Sequence, residues 1–314
     1  MENNVIANSL ERIAIALERI AESFEKGISL KNPRLTANNM EQTPIDNATS
    51  EIGERKIIEN SEEENAIEKF LFSRNIGIKV VPPKDEADNV INSLADFLGN
   101  NYSSLRELLS KIKSNMQRGD SFELCIKDYT QKEVSTTCQF CHRLYEIAFL
   151  EQYKYFKSPI YLIKAKTTTL STAQNFFSGK WLERFVLQAV QKAICAVSTS
   201  IGKKLSFTYL LNTQIILPNG NDFELDFIFC VNGAFYWIEA KTGDYQQHIN
   251  KYSKMSKILG LDDKHSILVL SDIQSDKSAA LVSLFAMSVY GLTKLESELI
   301  ETIRKDINSL TPAH

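Results

Sequence analysis

Two neighbouring segments constrain this chain most: Phe223-Glu224-Leu225-Asp226-Phe227 and, across a turn at Asn232-Gly233, Tyr236-Trp237-Ile238-Glu239-Ala240-Lys241. Both are rich in aromatic and β-branched residues and are joined by a hairpin signal, so they read as adjacent antiparallel strands. Side chains alternate faces along a strand, which puts Glu239 and Lys241 together and turns Ala240 away. A purely structural sheet has no reason to gather carboxylates and an ammonium on one face, because each charge costs free energy when it leaves water. One carboxylate on the first strand, then a carboxylate and an amine two residues apart on the next, is what metal-assisted phosphodiester hydrolysis needs.

The tripeptide alone is weak evidence. Glu54-Arg55-Lys56 and Asp262-Asp263-Lys264 supply the same spacing elsewhere in the chain. Order and context distinguish Glu239: Asp226 precedes it by 13 residues, and Glu183 lies upstream in the apolar-periodic segment Gly179-Lys180-Trp181-Leu182-Glu183-Arg184-Phe185-Val186. With Glu239-Ala240-Lys241, this arrangement resembles the PD-(D/E)xK nuclease superfamily. Within that superfamily, Gly-x-Trp-Leu-Glu and Ile-Glu-x-Lys-Thr-Gly are most similar to the nuclease domain of CRISPR ancillary nucleases. The resemblance runs from about residue 178 to 272, and no sensor domain of that family is recognised before Lys166.

The resemblance implies an α/β fold with a restriction-endonuclease-like αβββαβ core. It also implies a catalytic set of Glu183, Asp226, Glu239 and Lys241. Asp226, Glu239, the carbonyl of Ala240 and Glu183 would then hold Mg²⁺ or Mn²⁺, hard cations that prefer oxygen ligands. Lys241 would orient or help deprotonate the attacking water and offset charge on the phosphate. Glu224 offers either an extra ligand or a partner for a lysine. His248, Lys251, Lys254 and Lys257 recur every three residues and form a candidate phosphate-contacting stripe, with a solvated lysine face as the alternative.

Periodicity and turn signals independently suggest a helix at 181–198, strands at 206–217, 223–231 and 234–241, a helix at 246–259 and a strand at 266–271. Helices at 277–289 and 295–307 would follow. Residues 66–165 read as an extra α/β domain: a strand at 76–81, helices at 86–98 and 103–116, a strand at 122–126, a helix at 131–151 and a strand at 159–165. It contains no phosphate-binding glycine loop and no serine nucleophile elbow, so it is not expected to be catalytic. Cys138-Gln139-Phe140-Cys141-His142 has the form of a haem-attachment motif but lacks an export signal and a fourth ligand; buried thiols on a helix are the expectation.

At the N-terminus, Ile6, Leu10, Ile13, Leu17, Ile20 and Phe24 form a heptad seam with Ile at d and Leu or Phe at a. That choice favours trimers and tetramers over dimers, so residues 1–26 read as a coiled-coil helix making a homo-oligomer, with a tetramer favoured. Residues 27–65 are rich in Asn, Glu, Thr and Ser and read as a flexible linker. The catalytic domain is then expected at 166–314.

Charge bounds the partners. The chain of 314 residues carries −3 overall, +1 over 166–314 and −4 over the remainder, so any nucleic-acid contact must come from a local basic stripe. DNA is expected in preference to RNA, with companion proteins possible. An odd number of cysteines, five, and an N-terminal segment broken by Glu11, Arg12, Glu18 and Arg19 point to a cytoplasmic protein with no membrane association. The expected function is a metal-dependent nuclease, in particular a DNA endonuclease in defence or restriction-like processing. The alternative is a catalytically inactive oligomeric DNA-binding or scaffold protein with the same fold.

Overall fold

The computed structural model describes residues 61–83, 88–243, 245–273, 281–282 and 287–310. The heptad helix and almost all of the linker therefore lie outside the described residues. Their order from Ser61 is α1 (Ser61–Phe72), β1 (Gly77–Val80), α2 (Asp88–Asn100), α3 (Tyr102–Asn115), β2 (Ser121–Cys125), α4 (Gln131–Glu146), β3 (Leu150–Phe156) and β4 (Leu162–Thr167). There follow α5 (Ser171–Asn175), α6 (Trp181–Ile201), β5 (Phe207–Ile216), β6 (Asp222–Val231), β7 (Ala234–Lys241), α7 (Ile249–Leu259), β8 (Ser266–Leu270), β9 (Ser288–Gly291) and α8 (Leu292–Leu310).

The main sheet is mixed, with strand order β1-β5-β6-β7-β8-β9. It is antiparallel from β1 to β7, and β8 and β9 then join in parallel. Parallel pairing requires a crossover, which α7 supplies between β7 and β8. A second, three-stranded antiparallel sheet has the order β2-β4-β3.

Each face of the main sheet packs a core of its own. On one face Phe227, Phe229, Tyr236, Ile238 and Ala240 join α6, α8 and the elements of the small sheet. On the other, Phe223, Leu225, Ile228 and Trp237 pack with Tyr252, Met255 and Leu259 of α7 and with α1. The central strands are consequently apolar on both sides, as a sheet covered on both faces must be. α6 is the central helix: α2 and α8 both pack along it, and residues 181–197 contribute most of its buried side chains.

Four sequence expectations are corrected. Residues 66–165 do not form a domain apart from 166–314, because Glu59–His314 is one compact unit, β1 pairs with β5, and α2 packs on α6. Four residues of strand contain no local signal for a partner more than 130 positions away, so the pairing was invisible to periodicity. The linker expected to reach residue 65 ends earlier, since α1 begins at Ser61. The helix expected over 131–151 stops at Glu146, Ala148 takes φ +59°, and the chain enters β3. Ile147 and Ala148 extend the apolar spacing of α4, which hid the break. Of the helix expected over 277–289, the described residues 281–282 are helical, but Ser288 and Val289 belong to β9 and are buried beside β8.

The contact between α2 and α6 is close because Gly99 carries no side chain. A Cβ at that position would stand 2.2 Å from Cδ2 of buried Phe185. Gly99→Ala improves helix propensity but forces a core ring to move, and overpacking of this kind costs about 1–3 kcal/mol. We expect a lowered denaturant midpoint with an unchanged slope; a midpoint equal to or above wild type would show that Phe185 can relocate freely.

Candidate active site

The site forms where β6 and β7 separate. Their ladder runs from Val231–Ala234 to Phe227–Ile238 and goes no further. Beyond that pair, side chains take over the role of the backbone. The Ala240 N–H donates to Asp226 Oδ2 at 2.9 Å, and the Asp226 N–H reaches Glu239 Oε1 at 3.4 Å. The Trp237 indole N–H also donates to Glu239 Oε1, at 3.2 Å. Both carboxylates are therefore held by buried donors, with side-chain exposures of 8% and 2%.

Lys241 closes the group. Its Nζ lies 2.7 Å from Asp226 Oδ2 and 3.3 Å from Glu239 Oε2, with the Tyr252 ring of α7 5.7 Å away. The structure thus brings Asp226, Glu239 and Lys241 together. Burial pushes the Glu239 carboxyl upward, and the neighbouring Asp226 charge adds to that. For Lys241 burial acts the opposite way, favouring the neutral amine, but the charges of Glu239 and Asp226 outweigh it and hold the ammonium form.

Glu183 enters from the first turn of α6. It is 8% exposed, and Lys180 Nζ stands 3.2 Å from its Oε2. That is ion-pair range without the alignment of a hydrogen bond, and Oε2 has no hydrogen-bond partner. Burial first, then repulsion from Asp226, raises the Glu183 carboxyl to about 7, against opposing contributions from Lys180 and Asn212. The helix start is placed by Gly179, whose φ of +154° admits few other residues and whose missing Cβ faces Thr242 Oγ1 at 3.7 Å.

Two residues here escaped the sequence reading. Lys180 Nζ donates to Asn212 Oδ1 at 2.9 Å and to Glu224 Oε1 at 3.2 Å. Glu224 is therefore engaged as a lysine partner. Asn212 sits on β5 between the Leu211–Phe227 and Thr213–Leu225 pairs, level with Asp226, and adopts φ +52°. Asparagine tolerates this left-handed conformation better than most residues. An Asn in the middle of a β-branched run was the one available signal.

The remaining candidates are more dispersed. His248 lies in a short turn before α7, tilted against Tyr252, and so falls off the helical stripe. Lys251, Lys254 and Lys257 are exposed, and Lys251 Nζ lies 4.4 Å above the Phe223 ring. No contact joins these lysines to Asp226 or Glu239; Tyr252 is the α7 residue that touches the site. Cys141 is buried in the core, and His142 pairs with Glu146 at 3.3 Å.

The groups available to ligate a cation all present oxygens, and Glu183 Oε2 is buried, with the Lys180 ammonium 3.2 Å away but not aligned as a hydrogen bond. Both suit a hard divalent ion. Among the described residues, no group of three or more His, Cys, Asp or Glu side chains is gathered closely enough to form a ready-made metal centre. Lys241 Nζ occupies the space between Asp226 and Glu239, so an ion would share or displace its contacts.

No family model matches the chain, and no curated protein matches it. Among solved structures, protein VC1899 from Vibrio cholerae is similar, with a TM-score of 0.52 at 17% identity over 78% of this chain and 62% of that one. Can2 from Sulfobacillus thermosulfidooxidans, solved in complex with cyclic tetra-adenylate, aligns with a TM-score of 0.49 at 14% identity, over 76% of this chain and 60% of that one. The likeness to VC1899 is one of fold. The chain spans about three fifths of the length of these two proteins.

Proposed function

We propose that the protein is a metal-dependent nuclease of PD-(D/E)xK type, whose αβββαβ core is the run from α6 through β5, β6, β7 and α7 to β8. The observation that supports this best is two buried carboxylates, Asp226 and Glu239, each within 3.3 Å of the half-buried Lys241 ammonium at the end of two strands, with Glu183 beside them. Such a cluster is expensive to fold and is characteristic of sites that do chemistry.

Asp226, Glu239, the Ala240 carbonyl and Glu183 are the residues that would hold Mg²⁺ or Mn²⁺. When bound, such an ion supplies Lewis acidity toward water and neutralises phosphate charge. The chain's own groups do the rest. Lys241, kept charged by its two carboxylates, donates toward the phosphodiester oxygen or the water. Asp226 and Trp237 fix the position of Glu239 through the bonds described above. In the metal-free protein the Glu183 carboxyl is raised to about 7, and a cation bound beside it would favour the ionised, ligating form. The Tyr252 ring, packed edge-on against Trp237, lies 5.7 Å from the ammonium.

The substrate is DNA on this reading, with RNA as the alternative nucleic acid. Heptads in residues 6–24 would assemble several such units, and no described helix is long and apolar enough to cross a membrane. The test is incubation of supercoiled plasmid with Mg²⁺ or Mn²⁺. Wild type should nick it, and Asp226→Asn should lower the rate by at least about 10²-fold, the scale of losing one preorganised electrostatic group. Failure of the wild type to cut DNA or RNA with either ion would leave the scaffold reading instead.

A further inference from the structure

A cleft of about 680 Å³ lies between α2, α6 and β5, next to the acidic site. It falls within the size range of small-molecule binding sites. Asn212 lines it and also accepts a hydrogen bond from Lys180, which pairs with Glu183. Arg184, the residue after Glu183, lines it too. A group seated there would be linked to Glu183 through Asn212 and Lys180, which are hydrogen-bonded at 2.9 Å.

The lining has a distinctive chemistry. Carboxamides come from three elements: Asn89 and Asn92 from α2, Gln188 and Gln191 from α6, and Asn212 from β5. The Arg184 guanidinium donates to Asn92 Oδ1 at 3.2 Å, and Gln188 Nε2 donates to Gln191 Oε1 at 3.4 Å. Tyr209, Leu211 and the Pro82-Pro83 corner add flat apolar surface. Of its acidic lining, Asp96 is paired with Lys192 at 2.6 Å. Arg184 is the cation in this lining and donates to Asn92, so amides over an apolar floor make up most of the surface a ligand would meet. Such a surface suits a neutral planar ligand with alternating donors and acceptors.

We infer that this cleft is a nucleobase subsite, and that its carboxamides select adenine in the strand held at the adjacent acidic site. Asn and Gln pair bidentately with adenine, donating to one edge nitrogen and accepting from the exocyclic amine. A base taken out of its stack gains further from an aromatic or guanidinium plane. Asn212 links the two sites, so base recognition positions the neighbouring phosphodiester. The inference depends on the nuclease reading for the identity of the ligand as a polynucleotide, but its test does not depend on cleavage.

Fluorescence anisotropy in EDTA with a short labelled oligothymidylate carrying one internal deoxyadenosine measures binding alone. The full chain should bind this strand about tenfold more tightly than the same strand with an abasic site, the scale of one good bidentate contact. Deoxyguanosine should give little of that gain. In Gln188→Ala/Gln191→Ala the ratio should fall to about twofold or less, with an unchanged thermal midpoint, since alanine suits both helical positions. Asn92→Ala should lower it as well. Equal binding of the adenine and abasic strands, a preference for guanine, or full discrimination in the double variant would each overturn the subsite. Discrimination without any cleavage by the wild type would overturn the nuclease reading and retain the subsite; cleavage without discrimination would do the reverse.

Discussion

Lys241→Met is expected to lower folding stability by about 3–5 kcal/mol at neutral pH and cleavage by at least about 10²–10³-fold. The reason lies in what remains after the ammonium is removed. Asp226 and Glu239 have side-chain exposures of 8% and 2%, and Lys241 is the cation that contacts both. An unpaired buried charge loses its hydration without recovering a partner, which costs more than the pair itself contributed. Glu239 limits the loss by taking up a proton, so the deficit should shrink as pH falls. Divalent ions should restore part of the thermal midpoint, because they can replace the charge, but they should not restore cleavage. Lys241→Arg keeps the charge but replaces a compact ammonium with a planar fork, so stability should recover more than activity. Thermal midpoint and plasmid nicking measured on the same preparations check this. A Met variant with wild-type stability would mean the two carboxylates are solvated, and one with wild-type nicking would remove Lys241 from the mechanism.

What the sequence revealed about this site follows from distance along the chain. Alternation within one strand sufficed to put Glu239 and Lys241 on one face, and the tight turn at Asn232-Gly233 made β6 its neighbour, so Asp226 came with them. Glu183 was named from its resemblance rather than from any pattern, and its approach depends on Gly179 and the path of α6. Lys180 and Asn212 were missed because their roles arise from a strand 32 residues after a helix start, joined by one hydrogen bond. On α7, regular spacing at Lys251, Lys254 and Lys257 marks the exposed side of the helix, whereas the contact with Lys241 is made by the buried Tyr252 between them, which no lysine spacing could point to. The same holds for the fold. Strands β5 to β8 show aromatic and β-branched runs bounded by turns, while β1 has only four residues and β9 continues an apolar stretch that reads equally well as helix. Non-local pairing decided those elements, and no window of sequence contains it.

Glu183→Gln should make the metal-free protein more stable than wild type above neutrality, by an amount that depends on pH. The carboxyl is raised from an ordinary value of 4.5 to about 7 by burial and by the Asp226 charge. The folded state therefore holds this proton more tightly than the unfolded chain. Its contribution to stability is fully present below about pH 4.5, falls as pH rises toward 7, and is absent above that. Glutamine is neutral throughout, so the two unfolding free energies should diverge across this window, with the variant ahead by up to about 3 kcal/mol at pH 8. The opposing effects of Lys180 and Asn212 are already contained in the value of about 7, so the figure is what remains after them. Divalent ions should act in the opposite direction. They favour the ionised carboxyl, so the gain in wild-type stability on adding Mg²⁺ or Mn²⁺ should increase as pH passes 7, and the variant should gain less. Urea unfolding from pH 5 to 8, with and without the ion, measures all of this. Parallel curves for the two proteins, with and without the ion, would mean that Glu183 is solvated and titrates normally, which would remove it from the metal shell.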